Sequence, residues 1–193
     1  MPMPANPAAL DFLLARRSHP AKALSLPVPD AAQLDTLLRA AARVPDHGKL
    51  EPWRFVILTA PACQRLAPEI AAYGAATGLD LEKVAKAADT FAMASLIVAV
   101  IASPKPSDKI PLIEQTLSAG AVCLSLVNAA LASGWGAVWL TGWVAHDRAL
   151  AGRLLTLSPE EWVTGFVHIG TAGPTLPERP RPDIAAITTW VTE

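Results

Sequence analysis

The chain has only two cysteines, Cys63 and Cys123, without metal-ligand spacing, so neither a disulfide framework nor a zinc site is written into it. Both read as small buried hydrophobes. Charge of one sign is also missing. The net charge is −1 and the basic residues are scattered, which excludes the electrostatic footprint of a nucleic-acid binder. No apolar run reaches the roughly 20 residues that cross a bilayer as a helix. The longest, Phe91 to Ala102, broken only by Ser95, reads as a buried strand, and no membrane partner is expected. The first seven residues hold no basic segment leading into an apolar stretch and no cleavage pattern, which points to the cytoplasm rather than to secretion. His19, His47, His146 and His168 form no Ser-His-Asp order with the serines and no metal-ligand cluster, so hydrolase and metalloenzyme readings find no support. Repeats and heptads are absent.

What the chain has instead is apolar surface. Its 193 residues are enough for one core without staples, and 52% of them are apolar. The excess suggests a large subunit interface, which resembles a core cut in half. The economical organisation is a single domain over 1–193, with 1–7 a flexible start and 174–193 an extended segment rich in proline.

Leu10, Leu13 and Leu14 recur at helical spacing in a helix over 8–17, with Arg16 and Arg17 in its last turn. Asp30 is a good N-cap for a helix over 31–42. Strands are expected at 53–58, 95–102, 136–140 and 162–170, with alanine-rich helices at 61–76 and 79–90 and another at 146–155. The longest helical pattern runs from Ile113 to Ser133 with Gly134 as its stop, and its apolar residues all round predict a central, buried helix. The segment 103–111 reads as a loop and a candidate lid. This element order fits α+β or α/β, and periodicity alone does not choose.

Four segments are denser in polar or glycine chemistry than connectors need. Arg16-Arg17-Ser18 offers two cationic forks beside a hydroxyl, suited to a phosphate monoester, although two solvated arginines at a helix end is the plainer alternative. Pro45-Asp46-His47 through Glu51-Pro52-Trp53 is a polar loop between helix and strand. Gly134-Trp135-Gly136-Ala137-Val138-Trp139-Leu140-Thr141-Gly142 permits close backbone approach to a flat ring, but it leads into a strand and lacks the spacing of a dinucleotide fingerprint. Arg179 and Arg181 stand on a stiff proline-rich segment that reads equally as an exposed tail.

Taken together and in this order, the four segments resemble the nitroreductase family, over about residues 8–192. The short Asp46-His47 loop resembles the family's compact subgroup. The resemblance implies an α+β, three-layer fold whose central mixed, mostly antiparallel sheet is flanked by helices. It implies an intertwined homodimer, joined through the long helix, with an FMN site at each half of the interface. It further implies NAD(P)H as co-substrate and a small planar electron-poor acceptor such as a nitroaromatic or quinone, served in ping-pong order, with no catalytic nucleophile or base because the cofactor carries the chemistry.

By that resemblance Arg16 and Ser18, with Arg17 beside them, would hold the FMN phosphate and ribityl chain, and Arg179 or Arg181 would complete the clamp. Arg43 and His47 would approach the flavin ring from the other subunit. Trp139, Leu140 and Thr141 would line the ring, with a main-chain amide near Thr141 or Gly142 donating to flavin N5. Two departures stand out: Pro20 occupies the usual basic position after the motif serine, and the loop asparagine is missing. The pyrimidine anchor is then open among Lys22, Lys49 and Arg43. A specialised flavoenzyme with oxygen-dependent or dehalogenating chemistry, or a non-enzymatic flavin-binding dimer, are the alternatives.

Overall fold

A computed structural model describes residues 4–174 and 177–193. The elements are α1 (Pro7–Ala15), β1 (Leu24–Ser25), α2 (Ala31–Ala41), β2 (Trp53–Thr59), α3 (Ala60–Ala76), α4 (Leu81–Ala92), β3 (Leu96–Ala102), α5 (Leu112–Ala132), β4 (Gly136–Leu140), α6 (Trp143–His146), α7 (Arg148–Leu155) and β5 (Trp162–Ala172). β5 is the hub of the sheet. It pairs with β3 along Trp162–His168, with β4 along Phe166–Gly170 and with β1 at Thr171–Ala172, while β2 flanks β3. Every registered pairing among the described residues is antiparallel. Among the described residues β4 pairs with β5 alone, and its other edge carries no strand.

β3 is buried along its whole length, and its alternation divides the core in two. Ile97, Ala99 and Ile101 face Leu66 and Ile70 of α3, Phe91 of α4 and Leu150 of α7; Leu96, Val98 and Val100 face Leu37 of α2 and Val122 and Leu126 of α5. The result is the expected three-layer α+β arrangement, helices on both faces of one sheet.

Local chemistry accounts for the helix ends. Asp30 and Gln33 form a reciprocal capping box at α2. Asp80 and Asp147 cap α4 and α7 through Lys83 N–H and Leu150 N–H, and Gly134, at φ +83°, takes the chain past the end of α5.

Several expectations need correction. α1 stops at Ala15 because Arg16 turns extended (ψ 145°), so both arginines stand beyond the helix and not in its last turn. The apolar run from Phe91 is not one strand: Phe91 closes α4, held edge-to-face on Phe166 with centroids 5.2 Å apart, and the strand starts at Leu96. The helix expected at 146–155 is α7, capped by Asp147, and the four-residue α6 that precedes it was not expected. The two-residue strand β1 lies in the proline-rich loop. α5 is long and apolar enough by length and composition to cross a membrane, but it is not buried all round. One face packs under the sheet, and Ile113, Leu117 and Leu124 stay exposed on the other. The 103–111 loop is held by Gln115, whose side chain accepts from Lys105 N–H and donates to Lys105 O and Ile110 O.

Candidate flavin site

Two cavities flank β4. The first opens where α1 ends. Phe12, Ala15, Arg16, Arg17, His19, Leu131, Ala172, Gly173 and Glu178 enclose about 510 Å³. The segment reaches this place because His19 N–H donates to Ala137 O at 3.0 Å, on the β4 edge without a strand partner. Arg16 Nη2 donates to Ser18 Oγ at 3.1 Å. Arg16 Nε, Arg17 Nε and Nη1 and His19 Nδ1 are shielded from solvent and have no partner among the described residues. Shielded guanidinium donors without acceptors are costly. Together with the Ser18 hydroxyl they form a donor set suited to an anion with several oxygens, such as a phosphate monoester.

Neither Arg179 nor Arg181 of the tail lines this cavity. Glu178 lines it instead, its carboxyl held below the usual range by the backbone N–H of Arg179 and then by Arg181, whose Nε donates to it at 2.8 Å. Arg179 is absent from the lining, and Arg181 is engaged with Glu178.

The second cavity, about 420 Å³, lies at the other end of β4. Leu140, Thr141, Gly142, Trp143 and Val144 form one wall, Lys83, Lys86, Ala87, Thr90 and Phe91 of α4 another, and Phe166 and His168 of β5 the floor. It is largely apolar with polar groups at a few points, as ligand pockets are. Gly142 shapes the turn out of β4. At φ 107° and ψ −177° it occupies a region open essentially to glycine, and its carbonyl receives Ala145 N–H and His146 N–H. Gly142→Ala is expected to lower stability by about 1 to 3 kcal/mol, a drop that chemical denaturation would read directly.

The other expected positions fall elsewhere. Trp139 faces the opposite side of the sheet from Leu140, as strand alternation requires, and lies against Gly165, where any side chain would collide with its indole. The close approach at Gly136 serves Leu24 and Ala172 of this chain rather than a bound ring. Arg43 is exposed past α2. His47 Nδ1 lies 2.7 Å from Glu114 Oε2, beside Leu117 on the exposed face of α5. Asp46 is a scaffold: its two oxygens accept from Leu50 N–H (3.1 Å) and Glu51 N–H (2.9 Å), holding a loop in which Gly48, Lys49 and Glu51 all have positive φ. Lys22, Lys49 and Arg43 line neither cavity. Lys83 and Lys86 were not anticipated. Their spacing of three, with Thr90 one turn on, places them on one helix face, a pattern that reads as solvent-facing until α4 is seen against β4.

A family model described as "Nitroreductase family" matches residues 13–171. The chain belongs to the nitroreductase family. The chain is 31% identical over 163 residues to the Escherichia coli K12 protein named "Putative NAD(P)H nitroreductase YdjA", with 84% of the chain and 87% of the relative covered. The subgroup that the short Asp46-His47 loop resembles is the YdjA-like one, and this match agrees with it. A Haemophilus influenzae relative with the same description, without the YdjA label, is 38% identical over 164 residues, covering 84% and 88%. Among solved structures, the "Nitroreductase-like Family Protein from Bacillus cereus" superposes with a TM-score of 0.79 at 17% identity, covering 98% of this chain and 99% of that one. The "Nitroreductase with Bound FMN from Bacteroides fragilis" does so with a TM-score of 0.73 at 21% identity, covering 96% and 98%.

Proposed function

We propose that the protein is an FMN-dependent NAD(P)H oxidoreductase acting on a small planar electron-poor acceptor such as a nitroaromatic or quinone. The observation that carries this reading is the pairing of two sites near the two ends of one strand. Unpartnered, shielded arginine nitrogens fit a phosphate near the start of β4, and a largely apolar cavity of about 420 Å³ lies at its end. The names of the relatives and the FMN held by the Bacteroides fragilis protein point the same way.

In this reading Arg16, Arg17 and Ser18 bind the phosphate and ribityl chain, and Arg181 balances Glu178 at the rim. Leu140, Thr141 and Gly142 line the ring, with a backbone amide of the turn directed at its central nitrogen. Lys83 and Lys86 take the place of Lys22, Lys49 and Arg43 as anchors for the pyrimidine edge, where their charge favours the reduced state. When bound, FMN supplies the hydride transfer from NAD(P)H to acceptor, in ping-pong order.

A homodimer completes the picture. α1 buries no residue of its own, leaving Leu10, Leu13 and Leu14 exposed, as are Ile113, Leu117 and Leu124 of α5 and Ile184, Ile187 and Trp190 of the tail. A second copy would cover these faces and bring its Arg43 and His47 towards the ring. Cys63 and Cys123 are buried thiols, pushed up to about 11 and about 12 by burial, compatible with the reducing cytoplasm.

The purified protein is expected to show flavin absorption, or to acquire it on FMN titration. The bands should bleach anaerobically with NADH or NADPH and recover on addition of a nitroaromatic. A protein that takes up no FMN overturns the reading.

A further inference from the structure

His168 is 3% exposed, in the floor of the cavity that also contains Thr141 and Gly142. Its cross-strand neighbours, Ile97 on β3 and Val138 on β4, are apolar, as are Phe166 beneath the same cavity and Phe91 above it. Among the described residues no hydrogen bond joins either ring nitrogen to a protein group, and Trp143 Nε1, in the same lining, is shielded and unpartnered. A leucine would fill this floor with no polar group to satisfy, so the hydrogen-bonding capacity of the imidazole is left to what occupies the cavity. Burial pushes the imidazole down to about 4. At neutral pH it is therefore an uncharged ring with one N–H to give.

Resting on the flavin reading above, we infer that His168 is a ring-contacting residue: its neutral imidazole donates a hydrogen bond to a carbonyl oxygen on the pyrimidine side of the bound flavin. The lysines and the imidazole divide the work. The ammonium groups supply charge from the α4 wall, and His168 supplies a directed, uncharged donor from the sheet. A carbonyl gains electron density on reduction, so the bond strengthens in the reduced state and holds the potential up.

The experiment compares wild type, His168→Leu and His168→Gln by FMN titration, by the midpoint potential of the bound flavin, and by thermal melting of the apoprotein. His168→Leu is expected to bind FMN about five- to tenfold more weakly. Its ratio of reduced to oxidised affinity should fall by up to about tenfold, which for a two-electron couple is a potential lower by about 30 mV. His168→Gln, which retains a donor, should recover most of both, and the apoprotein should melt no lower with leucine than with histidine. Wild-type binding with unchanged affinity and potential in His168→Leu would refute the role of His168 while leaving the flavin reading intact. Failure of the wild type to bind FMN removes both.

Discussion

Replacing Arg16 with alanine is expected to weaken FMN binding by roughly 10- to 150-fold, about 1.5 to 3 kcal/mol, the range for a charge-assisted hydrogen bond. Arg16 leaves α1 at an extended residue, reaches Ser18 with one nitrogen and holds Nε shielded and unpaired beside Arg17. Without a bound anion those unpaired groups cost stability, so Arg16→Ala should melt no lower than wild type in the absence of FMN and lower than wild type in its presence. That pairing separates a lost ligand contact from a damaged fold. Glu178 supplies a change of opposite sign. Its carboxylate lines the same cavity as the arginines and repels a phosphate, so Glu178→Gln is expected to tighten FMN binding. Isothermal titration of the three proteins checks both directions, and an unchanged dissociation constant in Arg16→Ala would remove it from the clamp.

Glu161→Gln should cost about 2 to 3 kcal/mol at neutral pH, because it breaks the strongest ion pair between distant segments. Arg54 of β2 meets Glu161 through two contacts of 2.7 Å, and Ser158 N–H adds a third at 3.0 Å. The Arg54 guanidinium holds the Glu161 carboxyl at about 2, against the opposing effect of burial, where an unperturbed carboxyl titrates near 4.5. A carboxyl depressed in the folded state contributes in full above its unfolded value and loses that contribution as the pH falls towards the folded one. The stability gap between wild type and Glu161→Gln should therefore be constant from pH 7 to about 5 and close between about 4.5 and 2. Urea unfolding at a series of pH values measures it; a gap independent of pH would show that the charge is irrelevant.

Much of the framework was legible because it depends on local chemistry. Asp30 followed by Gln33 announces a capped helix, Gly134 announces a stop, and the unbroken apolar stretch of β3 announces a strand covered on both faces. What escaped depends on partners far along the chain. Leu24 and Ser25 have no strand pattern and become one by pairing with Thr171 and Ala172. Asp147 sits within a helical pattern, yet it ends α6 and caps α7, a division no periodicity marks. The arginines of the first segment were identifiable at the sequence level, since their type and spacing suit a phosphate wherever the fold puts them. Lys83, Lys86 and His168 were not, because only the packing of α4 over the end of β4 turns a charged helix face and a strand histidine into walls of one cavity.

β2 and β3 are antiparallel neighbours that a tight hairpin could join, yet residues 60–95, including all of α3 and α4, intervene between them. One wall of the ring cavity is thus carried on an excursion whose two ends are already pinned by Thr59 opposite Leu96. Leu66, Ile70 and Phe91 anchor that excursion in the core, so its cavity-facing positions Lys83, Lys86 and Thr90 can change while the ladder keeps its register and the Arg16–Ser18 end of the site stays where it is.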